Sequence, residues 1–146
     1  MGTGGGYIKA TYTDTSGNTK TVKSEYIKTT DDWQRINVKL LNVAMGNINI
    51  TLGFENATGT VYFDCLQLEE GYLDNYNLAE NSVFLRGNNW YSGAIYSIGT
   101  PTTGAPSYLT KSVKIYGDGL NYKHIAHTSY IGQSANNLAI NISVYA

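Results

Sequence analysis

A chain of 146 residues that is 42% hydrophobic has enough apolar material for one globular core, and no run reaches the roughly 18 apolar residues of a membrane-spanning helix. Ten Lys and Arg against 11 Asp and Glu leave a net charge of −1, and no block of basic residues exists, which excludes a surface built to track phosphates. With 16 Gly, 13 Tyr and two Pro among many Thr, Asn and Ser, the composition favours strands and their turns over helices.

The opening run MGTGGG has neither the basic start nor the apolar segment of a signal peptide, and it reads as a cut within a loop of a longer protein. It is not a phosphate loop either, because no Lys and no helix follow Gly2 to Gly6. From Tyr7 onward, alternation of period two dominates. Tyr7 to Thr13 predicts a strand, Ser16 to Asn18 a turn and Thr19 to Lys28 a returning strand. Trp33 to Leu41 directs Ile36, Val38 and Leu40 to one face and Arg35, Asn37 and Lys39 to the other. Asn47 to Glu55 does the same, with Ile48, Ile50, Leu52 and Phe54 inward. A turn at Asn56 to Gly59 leads into Val61 to Leu68, where Cys65 is expected as a small core side chain. As the single cysteine, it excludes an internal disulfide.

Beyond a linker at Tyr72 to Tyr76, Ala79 to Leu85 predicts a short strand, and Arg86 to Pro106 a long Gly-rich loop with a strand near Ala94 to Ile98. Tyr108 to Tyr116, Tyr122 to Ile131 and Leu138 to Tyr145 complete the set. Roughly nine or ten short strands with turn signals between them predict an all-β fold, a two-sheet antiparallel β-sandwich.

Chemistry is sparse. His124 and His127 lie three apart on a strand, so they point to opposite faces and cannot share a metal. Asp14, Glu25, Asp31, Asp32, Glu55 and Asp118 are mostly at turns or strand ends, where acids serve as turn formers, and Ser92 and Ser107 lack a nucleophile-elbow context. The chain is therefore read as non-enzymatic. Its aromatic residues point elsewhere: sugar rings stack their C–H faces on Trp and Tyr while amides and carboxylates bind the hydroxyls. Trp90 and Tyr91 with Asn88 and Asn89, joined by Tyr96, Tyr108 and Tyr122, are the expected ligand-binding residues. Tyr130 is a further candidate, while Trp33, which opens a strand after an acidic pair, is read mainly as structural.

Several segments resemble one family. Asp31-Asp32-Trp33-Gln34, followed by Val61-Tyr62-Phe63-Asp64, resembles the closing strands of carbohydrate-binding, galactose-binding-like β-jelly rolls. Asn77-Leu78-Ala79-Glu80-Asn81 with Phe84 and Trp90 resembles their opening, Ser112 to Gly117 an internal strand, and Leu138 to Ala146 a later one. The order is permuted: 5–71 looks like the back half of one module and 76–146 like the front half of the next, joined by the linker 72–76. The resemblance implies a single jelly roll made by circular permutation, or alternatively two chains that exchange halves as a dimer, with the monomer favoured because a tethered partner has a high effective concentration. It also implies a tandem bacterial protein, extracellular or at the cell surface, including those with YD/Rhs repeats, and affinity for glycan or cell-wall polysaccharide. Some members hold a structural calcium, for which Asp64 and Glu80 are the corresponding residues. Leu85 and Cys65 stand where two further oxygen ligands belong, and Ca²⁺ takes roughly six to eight, so no cofactor is required. The rival functional reading is a structural spacer or interaction module with no small ligand.

Overall fold

The structure, a computed structural model, describes residues 4–27, 32–70, 91–92, 96–99, 112–119, 122–131 and 139–146. Among the described residues, ten strands form two five-stranded antiparallel sheets that pack face to face as a β-sandwich. In chain order they are β1 (Gly5–Thr13), β2 (Thr19–Lys23), β3 (Arg35–Leu41), β4 (Gly46–Glu55), β5 (Thr58–Glu70), β6 (Tyr91–Ser92), β7 (Tyr96–Gly99), β8 (Ser112–Asp118), β9 (Lys123–Ile131) and β10 (Ala139–Tyr145). Among the described residues, no helix is long and apolar enough to cross a membrane.

The first sheet runs β2-β1-β4-β9-β6 and the second β3-β10-β5-β8-β7. Both mix early and late parts of the chain. β4 pairs with β9 from Gly46↔Ile131 to Phe54↔Lys123, and β10 lies between β3 and β5. β8 continues the second sheet on the other side of β5. Strands before residue 71 and strands after residue 90 thus hydrogen-bond directly in both layers. The linker 72–76 and the expected strand at 79–85 lie outside the described residues.

Alternation decides which side chains meet. Ile8, Ala10 and Tyr12 of β1, Ile48, Ile50, Leu52 and Phe54 of β4, and Ile125 of β9 face the second sheet. Val38 and Leu40 of β3, Val61, Phe63, Leu66 and Leu68 of β5, Val113 and Ile115 of β8, and Ile140, Ile142 and Val144 of β10 meet them in one continuous core. Of these, the period-two pattern places Val38, Leu40, Ile48, Ile50, Leu52, Phe54, Ile140, Ile142 and Val144 inward. Each fully buried Leu or Ile removes enough apolar surface from water to contribute roughly 1.5–3 kcal/mol. Tyr12 adds a polar clamp across the layers: its hydroxyl donates to the Leu41 carbonyl at 3.0 Å and accepts from the Leu41 N–H at 3.3 Å.

The first turn forms where expected. Asp14 accepts the backbone N–H groups of Ser16 at 3.0 Å and Asn18 at 2.8 Å, an Asx-type closure, and Gly17 supplies the left-handed residue at φ 83°. The returning strand is shorter than its pattern predicts. Its ladder to β1 stops at Lys23↔Lys9; beyond it Ser24 exchanges bonds with Ile8, its N–H donating to the Ile8 carbonyl at 2.9 Å and its hydroxyl accepting the Ile8 N–H at 3.1 Å, and a single bridge pairs Ile27 with Gly6.

A second departure is in β5. The ladder to β10 passes from Ser143↔Gln67 to Tyr145↔Asp64, so two steps on β10 face three on β5. The extra residue makes a β-bulge, and Cys65 takes the left-handed region at φ 50°. Val61 and Phe63 point inward before the bulge, and Leu66 and Leu68 after it. Cys65 is consequently half-buried and outside the core, which corrects its expected role as a core side chain.

Candidate functional site

The outward faces of β1, β4 and β9 carry the one aromatic cluster among the described residues that combines stacked rings with charged groups. Register aligns its members: Tyr7 of β1 is opposite Gly53 of β4, and Gly53 is opposite His124 of β9. Outward parity on β9 continues through Ala126 and Thr128 to Tyr130, and Tyr122 precedes β9 on the same face.

Tyr7 is the floor. Although it faces away from the core, it is only 1% exposed. Gly53 makes room for it, since a Cβ there would lie 2.4 Å from Tyr7 Cζ and 2.5 Å from its hydroxyl. The ring of Tyr26 meets it edge-on at 6.0 Å and 79°, and that of Tyr122 lies nearly parallel at 6.3 Å and 16°. Tyr122 stacks in turn on His124 at 4.5 Å and 17°. Both geometries are the offset and edge-on arrangements that ring quadrupoles favour.

Charges surround these rings. The Lys23 ammonium sits 4.1 Å from the centroid of Tyr7 and 4.3 Å from that of Tyr26, while donating to Glu55 and, at 2.8 Å, to the Tyr26 hydroxyl. Tyr26 donates to Glu55 Oε1 at 2.5 Å. Burial works against the charge of Glu55, but the hydrogen bonds from Lys23 and Tyr26 outweigh it and hold the carboxyl below its ordinary value. Burial likewise opposes the Lys23 charge, and Glu55 outweighs it, so the ammonium is held above its ordinary value. Burial, then Tyr122 and Glu55, push the Tyr7 phenol well above its usual range and keep it protonated. Lys9 lies 5.3 Å from the Tyr122 centroid, and burial together with Lys9 lowers the His124 imidazole, leaving it neutral at pH 7.

Beyond this end, the face is a ladder of small polar groups. Thr11 and Thr21 share a hydrogen bond at 3.1 Å, and Thr128 donates to Asn49 at 2.7 Å. Thr51 lies between Lys9 and Ala126 in register. Tyr130, 64% exposed, closes the strip roughly 26 Å from Tyr122 along the strand. Chemically, the arrangement offers a fixed, flat aromatic surface with hydroxyl, amide and cationic groups at its rim.

Of the expected ligand-binding residues, Tyr122 belongs to this cluster. Tyr91 and Tyr96 are placed as strand positions on β6 and β7, with Tyr91 opposite Ala126 and Tyr96 opposite Ile115. Trp90, Asn88, Asn89 and Tyr108 lie outside the described residues. Sequence reasoning missed Tyr7, Tyr26, Lys9, Lys23 and Glu55. The available signal was Gly53, an isolated glycine within the strand run ITLGFE, which marks a close approach by another group.

A second, smaller aromatic group lies on the other sheet. Trp33 meets Tyr62 at 6.5 Å and 49°, and Lys114 lies 5.7 Å from the Tyr62 centroid.

Asp64 sits at the bulge, fully buried. Its Oδ1 accepts the Cys65 N–H at 2.6 Å, and its Oδ2 has no hydrogen-bond partner. Burial raises its carboxyl to about 6, against the smaller lowering effect of that one hydrogen bond. Glu80 and Leu85 lie outside the described residues, and among the described residues no three His, Cys, Asp or Glu side chains converge as metal ligands. The acid and its bulge neighbour Cys65, half-buried with burial and then Asp64 raising its thiol, do not make the oxygen cage that Ca²⁺ needs. The two histidines are also apart: His124 is on the outward face, while His127 is 5% exposed on the inward one, opposite Ile50.

In comparison with known proteins, no protein-family model, no curated protein and no solved structure matches the chain.

Proposed function

We propose that this chain is a non-catalytic carbohydrate-binding module of the jelly-roll type, which binds glycan or cell-wall polysaccharide on the outward face of the sheet β2-β1-β4-β9-β6. The observation that carries this reading is Tyr122: its ring is held in a stack with His124 and Tyr7 and is still 40% exposed beside a lysine. Rigid aromatics with a polar rim are what a shallow sugar site requires, because the ring pays little conformational entropy on binding. The motif resemblance at Asp31 to Gln34, Val61 to Asp64 and Leu138 to Ala146 supports the same reading, and with it a place outside the cell in a tandem bacterial protein. In this reading the parts before 72 and after 76 form one permuted monomer, and exchange of halves between two chains is the alternative assembly.

A screen against immobilised glycans tests the proposal, using wild type and Tyr122→Ala. Binding by wild type that falls at least about tenfold in the variant supports it. Absence of binding to every glycan overturns it in favour of the second reading, a structural spacer. One observation favours that rival: Tyr7, Tyr26, Lys23 and Glu55 satisfy one another, as a purely structural knot would.

A further inference from the structure

We infer that the position over Tyr122 takes a sugar ring bearing its own carboxylate, a uronate unit of an acidic polysaccharide, with Lys9 as the counter-charge. The inference deepens the glycan reading above and rests on it.

Two lysines meet at this end of the sheet, Lys9 and Lys23, directly opposite each other on β1 and β2. Like charges so placed repel. For Lys23 the repulsion is answered by the Glu55 carboxylate and the Tyr26 hydroxyl. Lys9 has no such answer: its other cross-strand neighbour is Thr51, and no ion pair of the described residues includes it. Its ammonium is instead held against the ring of Tyr122, 5.3 Å from the centroid. A cation fixed beside another cation and left without an acid is matched to an anion from outside. The neighbouring His124 adds no second charge, because burial and Lys9 itself keep its imidazole neutral.

The distance selects the kind of anion. A pyranose placed against the exposed part of Tyr122 brings a carboxylate bonded directly to it toward the Lys9 ammonium, which lies 5.3 Å from the ring centroid. A phosphodiester lies between sugar units, away from the ring that stacks. A single uncompensated lysine also suits one carboxylate per site better than a densely charged phosphate polymer. The strip of Asn49 and Thr128 leading to Tyr130 offers hydroxyl and amide partners to further units of the same chain.

The test is calorimetric titration with an oligogalacturonate of about five rings, to match the roughly 26 Å strip, and with its methyl-esterified, uncharged counterpart. Wild type is expected to bind the acid roughly tenfold more tightly than the ester, and Lys9→Gln to reduce acid binding to the level of the ester. Lys39→Gln, on the outward face of the other sheet, is expected to keep the preference, which separates a local ion pair from general attraction. Raising NaCl from about 0.05 M to about 0.5 M is expected to erode the preference of the wild type. Equal binding of acid and ester, or a preference that survives Lys9→Gln, overturns the inference while leaving the glycan reading intact. If the wild type binds neither, and no neutral glycan in the screen, both fall together. Far-ultraviolet circular dichroism of each variant confirms that the sandwich has formed, and both lysines are surface positions whose replacement leaves the core untouched.

Discussion

Glu55 and Asp64 are both carboxylates at the sheets of this sandwich, and they end in opposite states. The Glu55 side chain keeps 21% of its exposure and has Lys23 and Tyr26 as donors, so its charge is held and its pKa falls. Asp64 is fully buried, has one backbone N–H for one oxygen and nothing for the other, and its pKa rises to about 6. Burial opposes ionisation at both sites, so the presence of donors decides between them. The partnered acid belongs to the face proposed to bind a ligand; the solitary one marks a fold irregularity.

Their signs under pH are therefore opposed, and this is the sharpest way to test the contrast. The unfolded chain ionises Asp64 near its ordinary value of 3.8, while the folded protein retains the proton to about pH 6. Stability from this group is full below about pH 4, falls between about 4 and 6, and stays low beyond. Asp64→Asn keeps the shape without the charge. It is expected to be more stable than wild type at pH 7 by on the order of 2–3 kcal/mol, with the difference vanishing near pH 4 in chemical denaturation. Equal stability of the two proteins across that range would remove Asp64 from the comparison.

A smaller effect is expected on the other side. Lys23→Met leaves Glu55 with tyrosine donors alone and removes a cation from above two rings. A loss of about 1 kcal/mol is expected at pH 7, reduced in strong salt and absent at acid pH once Glu55 is protonated. Glu55 contributes stability above its unfolded value of 4.5 and loses it as pH falls through its lowered folded value. A Lys23→Met loss independent of pH would show the ring contacts, and not the carboxylate, to be what Lys23 supports. The smallest change is expected for Asp118→Asn, whose pair with Lys123 at 3.1 Å is partly exposed on both sides. Less than about 0.5 kcal/mol is expected in the same denaturation experiment, which sets the baseline for a partly exposed ion pair outside the aromatic cluster.

Most of the sandwich was legible because its signal is local. Ile48, Ile50, Leu52 and Phe54 alternate in sequence and are buried in register, and Ile140, Ile142 and Val144 repeat the case on the opposite layer. The bulge was legible in principle: Val61 and Phe63 share one parity and Leu66 and Leu68 the other, so an extra residue had to fall at Asp64 or Cys65. What alternation cannot provide is adjacency between distant strands. Tyr7, Gly53 and His124 meet only because β4 lies between β1 and β9, a fact of topology that no single window contains. The aromatic expectation therefore found Tyr122 but not its neighbours, and it searched the late half of the chain while much of the cluster comes from the early half.

The interleaving of β3, β10 and β5 has a consequence for biogenesis. A ribosome releases β5 roughly seventy residues, and β3 roughly a hundred, before the strand that must slide between them. Until then, both strands display unpaired amide edges and an uncovered greasy flank, which invites sticking to other nascent copies. Completion must wait until β10 has been translated and then for pairings between remote positions, a regime of milliseconds to seconds rather than microseconds.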